Sequence, residues 1–273
     1  MTTKSNLHTH CTLCDGSNTI EEMVLAALNA GFESVGFSSH CHTGYPFDEC
    51  GLRDPELYFT ELERIKQKYQ DRIRIFKGLE LESRVLGEGR PVIDKRCDYT
   101  IGSLHLFRLD GQFFEVDYTK ERWLEALKVA GSAKALVQNY LDELLSFARQ
   151  SSFDIIGHFD LYTKFNEGNA LFDEDDAKYQ DMVLDYLDAF IETGKIFEVN
   201  TGAISRGYKK KPYPARFILS RLLEKKVPII LSSDAHSAKN IAHAFPETEK
   251  MLREMGFTEQ MRLTDRGFVP VAL

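Results

Sequence analysis

Seven short β-favouring runs, most of them separated by stretches of helical periodicity, leave this chain few folds to choose from. The first run ends near His8; the others cover 34–38, 72–79, 99–103, 154–157, 196–200 and 228–232. Helices are expected over 19–30, 55–69 and 174–193, with two more inside 120–150. The first helix carries its own punctuation: Thr19 as N-cap, Glu22 as capping-box partner and Gly31 as the stop. Only one hairpin interrupts the alternation, 106–110 with 113–117 about Gly111-Gln112. Strands alternating with helices are the signature of parallel βα units. Seven such units predict an α/β barrel one strand short of the usual eight. The 273 residues suit one barrel domain, since such barrels run to about 250 residues. No repeat, linker or composition shift divides them, so residues 1–273 are read as a single domain.

The chemistry gathers at the ends of these strands. His8-Thr9-His10 places two imidazoles on one face, because strand side chains alternate with period two. Asp234-Ala235-His236 repeats that spacing after the last strand. In a closed barrel the first and last strands are neighbours, so the two pairs should meet. Asp15, His40, Glu80, His105 and His158 also lie at or just beyond strand ends. Strand C-termini converge on one face of a parallel barrel, where active sites form. A lone buried histidine is more often a hydrogen-bonded core residue than a ligand, but nine imidazoles and carboxylates in register are not explained that way. They exceed the needs of one tetrahedral ion and suit about three ions sharing ligands. Mixed nitrogen and oxygen donors fit Zn, Mn or Fe. His243, the eighth histidine, falls outside the pattern and is expected to be structural or exposed.

Composition narrows the partners. A net charge of −8 argues against a general nucleic-acid or anionic-membrane binder. It leaves room for a phosphate substrate, whose charge metal ions can meet locally. No apolar run approaches the ~20 residues of a membrane span, and Met1–Ser5 carries no apolar signal region. Five irregularly spaced cysteines fit reduced thiols, so a cytoplasmic protein is expected. The lone Cys11-x-x-Cys14 pair is read as structural.

The motifs His8-Thr9-His10, Gly36-Phe37-Ser38-Ser39-His40, Gly78-Leu79-Glu80, Ile101-Gly102-Ser103-Leu104-His105, Ile156-Gly157-His158-Phe159-Asp160, Glu198-Val199-Asn200-Thr201 and Ser232-Ser233-Asp234-Ala235-His236 span nearly the whole chain. In this order they resemble the PHP (polymerase and histidinol phosphatase) superfamily. Within it, the chain looks like the monofunctional histidinol-phosphate phosphatases, through its length, Cys41-His42 and His158-Phe159-Asp160-Leu161.

The resemblance implies a distorted (β/α)7 TIM-like barrel and a trinuclear site. One ion would take His8, His10, Glu80 and Asp234; a second would share Glu80 and add His105 and His158; a third would take Asp15, His40 and His236. Many relatives carry His where this chain has Asp15. The implied reaction is hydrolysis of L-histidinol phosphate, in histidine biosynthesis, by a metal-bridged hydroxide. Asp160 and His42 are the candidate proton donors for the leaving alkoxide and candidate substrate contacts. Arg206 is either a bidentate phosphate clamp or an ordinary arginine in a basic loop with Lys209, Lys210 and Lys211. Glu115 and Asp117 could face the substrate's cationic groups. A phosphoesterase acting on a nucleotide or oligonucleotide end is the alternative. A non-catalytic metal-binding module that partners a polymerase ranks last, because it predicts missing ligands or an attached domain. Oligomeric state is not legible in the sequence.

Overall fold

A computed structural model describes residues 2–41, 43–45, 49–84 and 91–273. In chain order the strands are β1 (Ser5–Asn6), β2 (Ser34–His40), β3 (Arg74–Glu82), β4 (Tyr99–Ser103), β5 (Leu106–Leu109), β6 (Gln112–Glu115), β7 (Ile155–Ile156), β8 (Ile196–Asn200), β9 (Ile229–Ser232), β10 (Glu259–Thr264) and β11 (Gly267–Ala272). The helices are α1 (Ile20–Asn29), α2 (Pro55–Tyr69), α3 (Lys120–Ala130), α4 (Ala133–Gln150), α5 (Ala177–Ile191), the short α6 (Gly202–Ser205), α7 (Arg216–Glu224) and α8 (Phe245–Met255). None of the described helices is long and apolar enough to cross a membrane.

Seven strands form one parallel sheet in the order β1-β2-β3-β4-β7-β8-β9. It curls into a nearly closed barrel, as the strand count predicts. Closure is slight: Thr9 and Ala235 make a single parallel bridge, through His10 N–H to Ala235 O at 2.9 Å and Ala235 N–H to His8 O at 3.2 Å. Asn6 reinforces the seam by donating to Ser233 Oγ (2.6 Å) and Ile241 O (2.9 Å). The predicted helix start is present, since Thr19 and Glu22 form the reciprocal capping box. The expected hairpin forms as β5–β6, with its turn at Asp110-Gly111, one residue before Gly111-Gln112.

Period-two alternation explains how the barrel carries a polar site on an apolar base. Along β8 one face reads Ile196, Glu198, Asn200; along β3, Phe76, Gly78, Glu80; along β9, Ile230 and then Ser232. Phe76, Tyr99, Ile101, Ile155, Ile196 and Ile230 pack into an inner cluster separate from the larger layer under the helices. Tyr99 needs Gly36 and Gly78 beside it, because a Cβ on either would come within 2.5 Å of the phenol. The antiparallel pair β10–β11, which the barrel pattern does not anticipate, adds Leu263 to this cluster. Apolar residues therefore fill the base of the barrel interior, and acids and histidines crowd the opposite end.

Candidate metal centre

All nine side chains singled out at strand ends meet in one cluster. Four overlapping groups have ligand atoms within 4.8 Å of one another: His10, Asp15, His40 and His236; His8, His158 and Asp234; His8, His10 and Glu80; His40, Glu80 and His105. Glu80 is the hub. Its Oε2 lies 2.9 Å from His40 Nδ1, 3.2 Å from His8 Nε2 and 3.6 Å from His10 Nε2. Its Oε1 lies 3.0 Å from His158 Nε2 and 3.5 Å from His105 Nε2. Asp234 Oδ1 approaches His10 Nε2 (3.4 Å), His236 Nδ1 (3.4 Å) and His8 Nε2 (3.6 Å). Asp15 Oδ2 reaches His236 Nε2 at 3.1 Å and His40 Nε2 at 3.6 Å. His10 thus stands between the seam and the Asp15 group, closer to the latter than the assignment of one ion to each set of residues assumes.

Backbone features aim these groups. The regular ladder of β1 stops at Asn6, so His8 and His10 project from its single-bridge extension, with ring centroids 5.3 Å apart. Asp234 sits at φ 47°, the left-handed region that non-glycine residues seldom adopt, which is strain of the kind found at functional sites. Gly16 packs against the backbone of His10 and Cys11, tightening the turn that returns Asp15 to the cluster. Cys11 and Cys14 both lie against Ser39 Oγ (3.6 and 3.1 Å), and Cys14 Sγ is 3.7 Å from His10 Nδ1.

The electrostatics are those of a site built for cations. Burial opposes ionisation of Glu80, but His8, His40 and His105 outweigh it and hold the carboxyl well below its usual range. Asp234 is lowered likewise, burial being overcome by Arg206 and His8. Burial disfavours the His8 imidazolium, yet Glu198, Glu80 and Asp234 raise it well above the ordinary histidine value. His105 is raised to about 9, Glu80 and Glu82 prevailing over burial. His236 is lowered by burial and by the neighbouring His10. Protons thus stand in for positive charge. His8 Nε2, His10 Nε2, Asp15 Oδ1 and Glu80 Oε2 are buried without a hydrogen-bond partner. Buried polar atoms left unpartnered in this way call for an ion or water, and mixed nitrogen and carboxylate donors fit divalent cations.

Several supporting groups carry no assignment from sequence. Glu198, buried in β8, accepts from His8 Nδ1 (2.5 Å), His158 N–H (2.7 Å), Asn200 Nδ2 (2.9 Å) and the Ser232 hydroxyl. Ser103 donates to Glu80 at 2.6 Å. Glu82 accepts from His105 N–H at 2.9 Å and lies 3.2 Å from its Nδ1. A charged residue inside the apolar run Ile196–Asn200 is the available signal for Glu198.

The other candidates divide. Arg206 is pinned over the cluster, its Nη2 2.9 Å from Asp234 Oδ2 and its Nη1 3.1 Å from Asp234 O, while Lys210 is exposed. Asp160 is buried outside the nine; Oδ2 accepts from Ala215 N–H at 2.8 Å and Oδ1 is unpaired. Burial pushes its carboxyl up to about 7, against the pull of Lys209. Asp117 pairs with Lys164 (3.1 Å) one residue past Val116, whose N–H donates to His105 O. Glu115 is engaged by Arg122 at 2.8 Å, and His243 is exposed. His42 lies outside the described residues.

The family described as PHP domain matches residues 5–202. A Bacillus subtilis protein named histidinol-phosphatase is 27% identical over 263 residues, covering 89% of this chain and 97% of its own length. The structure of hisK from Listeria monocytogenes superposes with a TM-score of 0.77 at 21% identity, covering 89% of this chain and 99% of that one. Histidinol phosphate phosphatase from Lactococcus lactis, solved with zinc, L-histidinol and phosphate, gives 0.63 at 20% identity, covering 97% and 98%.

Proposed function

The chain belongs to the PHP domain family, and on that premise we propose that it is a metal-dependent phosphomonoesterase hydrolysing L-histidinol phosphate to L-histidinol and phosphate, a step of histidine biosynthesis. The observation that carries the reading is the convergence of all nine strand-end donors on one centre. The substrate rests on the relatives named histidinol-phosphatase, which match this chain over most of its length. We assign three divalent ions, Zn, Mn or Fe: one with His8, His10, Glu80 and Asp234, one with Glu80, His105 and His158, and one with Asp15, His40 and His236. Such ions lower the pKa of coordinated water towards neutrality and offset phosphoryl charge.

The chain's own groups do the rest. Arg206, already fixed against Asp234, is suited to receive phosphoryl oxygens through its remaining donors. Burial raises the Asp160 carboxyl to about 7, which suits delivery of a proton to the poor alkoxide leaving group. His42 remains the second candidate for that proton and for contact with the histidinol moiety. Asp117, one oxygen of which is held by Lys164, is the candidate carboxylate for the substrate's cationic groups.

A phosphate-release screen of metal-reconstituted protein, with histidinol phosphate beside mononucleotides, tests the reading. The expected result is preference for histidinol phosphate. Preference for a nucleotide by more than about tenfold, ~1.4 kcal/mol of transition-state discrimination, overturns the substrate. Release from none of them overturns the enzyme.

A further inference from the structure

We propose that the Tyr213 hydroxyl is a phosphate-binding group of this centre, donating to a non-bridging oxygen of the bound phosphomonoester beside Arg206. The proposal rests on the phosphatase reading and adds a contact to it.

Tyr213 is tied to the C-terminal end of β8. Its N–H donates to Asn200 O (2.9 Å) and its carbonyl accepts from Asn200 N–H (2.8 Å). The Asn200 amide in turn donates to Glu198, the carboxylate that holds His8. The phenol is therefore anchored to the same framework as the ligands. Tyr213 is 1% exposed, yet its hydroxyl has no hydrogen-bond partner. The charges that bear on it are Asp160, Arg206, Asp117 and Asp234. Burial and the three carboxylates keep the phenol in its neutral, donating form.

None of those carboxylates takes the proton. Asp234 Oδ2 is engaged by Arg206 at 2.9 Å, Asp117 Oδ2 by Lys164 at 3.1 Å and Asp160 Oδ2 by Ala215 N–H at 2.8 Å. Asp160 Oδ1 is also unpaired, and the two orphan atoms do not bond each other. Buried hydroxyls are rarely left without an acceptor, because desolvation is then uncompensated. An acceptor that arrives with the substrate resolves this, and a phosphoryl oxygen bound by Arg206, the cation among the charges that bear on the phenol, is such an acceptor.

Tyr213→Phe tests the assignment with three readouts. Calorimetric Kd for inorganic phosphate should weaken by about 10- to 100-fold, as expected for loss of a hydrogen bond to an anion. The kcat/KM should fall by a similar factor for L-histidinol phosphate and for 4-nitrophenyl phosphate, because a non-bridging contact is indifferent to the leaving group. The melting temperature of the metal-free protein should hold or rise, since an unpaired buried hydroxyl has been removed. Tyr140→Phe, which deletes another buried unpaired hydroxyl, should leave phosphate affinity within about twofold. The proposal is overturned by a phosphate Kd unchanged in Tyr213→Phe, by a loss confined to the alkyl ester, or by an equal loss in Tyr140→Phe. If Tyr213→Phe does not fold, 3-fluorotyrosine at 213, a stronger donor, should tighten phosphate binding, and an unchanged Kd there is equally fatal. A wild type that binds phosphate but turns over no phosphomonoester defeats the phosphatase reading and leaves the binding assignment standing.

Discussion

Glu198→Gln should cost this protein its metal before it costs the fold. The carboxylate receives four donors: His8 Nδ1 at 2.5 Å and the Ser232 hydroxyl on Oε1, His158 N–H at 2.7 Å and Asn200 Nδ2 at 2.9 Å on Oε2. An amide has only one oxygen to offer. The His158 N–H is a fixed backbone donor, and Asn200 cannot flip cheaply because its Oδ1 accepts from Gly202 N–H at 2.8 Å. The glutamine oxygen must therefore face that pair, which turns its NH2 towards His8. Ser232 can rotate to accept, but His8 can accept at Nδ1 only by moving its proton to Nε2. That nitrogen is the one directed at Glu80 and Asp234, and a protonated nitrogen cannot ligate. Loss of a group that fixes a ligating histidine lowers metal affinity by about 10- to 100-fold, ~1.4–2.8 kcal/mol. Competition against a chelator of known affinity, with Zn and Mn separately, measures it. An affinity within about twofold of wild type would show that the His8 tautomer is not set by Glu198, and the reasoning fails.

Asp160→Asn should lower kcat on L-histidinol phosphate by about 10²- to 10⁴-fold with metal content intact, and much less on 4-nitrophenyl phosphate, whose leaving group needs no proton; wild-type turnover on the alkyl ester sinks Asp160 as the donor. Gly16→Ala should deplete the Asp15 group specifically, because the new Cβ would lie 2.5 Å from Cys11 N and 2.7 Å from His10 C; plasma mass spectrometry should find about one ion fewer per chain, and full occupancy refutes it. Glu249 gives a pH dependence remote from the centre. Burial raises its carboxyl, but the Thr3 and Thr2 N–H groups outweigh this and hold it at about 2, against 4.5 unfolded. A depressed carboxyl stabilises the fold above its unfolded pKa and loses that contribution as pH falls through the folded value. Glu249→Gln should thus cost about 1–3 kcal/mol near pH 6 and clearly less near pH 3, by urea unfolding; a pH-independent difference contradicts the linkage.

The seven barrel strands, the capping box of α1 and the nine clustered side chains were readable because each obeys a local rule: period-two alternation, helix punctuation, or a histidine or acid at a strand end. Glu198 obeys the same alternation as Ile196 and Asn200, but its role depends on donors from residues 8, 158 and 232, which no local pattern links. Tyr213 is harder still. Its position follows from the reciprocal bonds to Asn200, formed only when the 201–212 loop folds back on β8. The β10–β11 pair had a signal, alternating Met261 and Leu263 before Asp265-Arg266-Gly267, but a barrel count does not ask for it. Arg206 shows the limit of composition, since a basic loop leaves open whether its arginine is a plain surface residue or a clamp; the structure keeps it exposed and also holds its guanidinium against Asp234.

The seam joins these observations. A barrel normally closes through a continuous ladder of backbone hydrogen bonds between first and last strands, yet here two such bonds surround one bridge. Directly above it, His8 and His10 from one side face Asp234 and His236 from the other, and the unpaired Nε2 atoms of both amino-terminal histidines point into that gap. Ions held there would complete by coordination what the ladder leaves open, so binding free energy and folding free energy are linked at this edge. It follows that a seam variant such as His10→Ala will lose stability and activity together, whereas loss at Asp160 or Tyr213, which lie off the seam, should separate the two. That separation distinguishes a residue that handles substrate from one that closes the barrel.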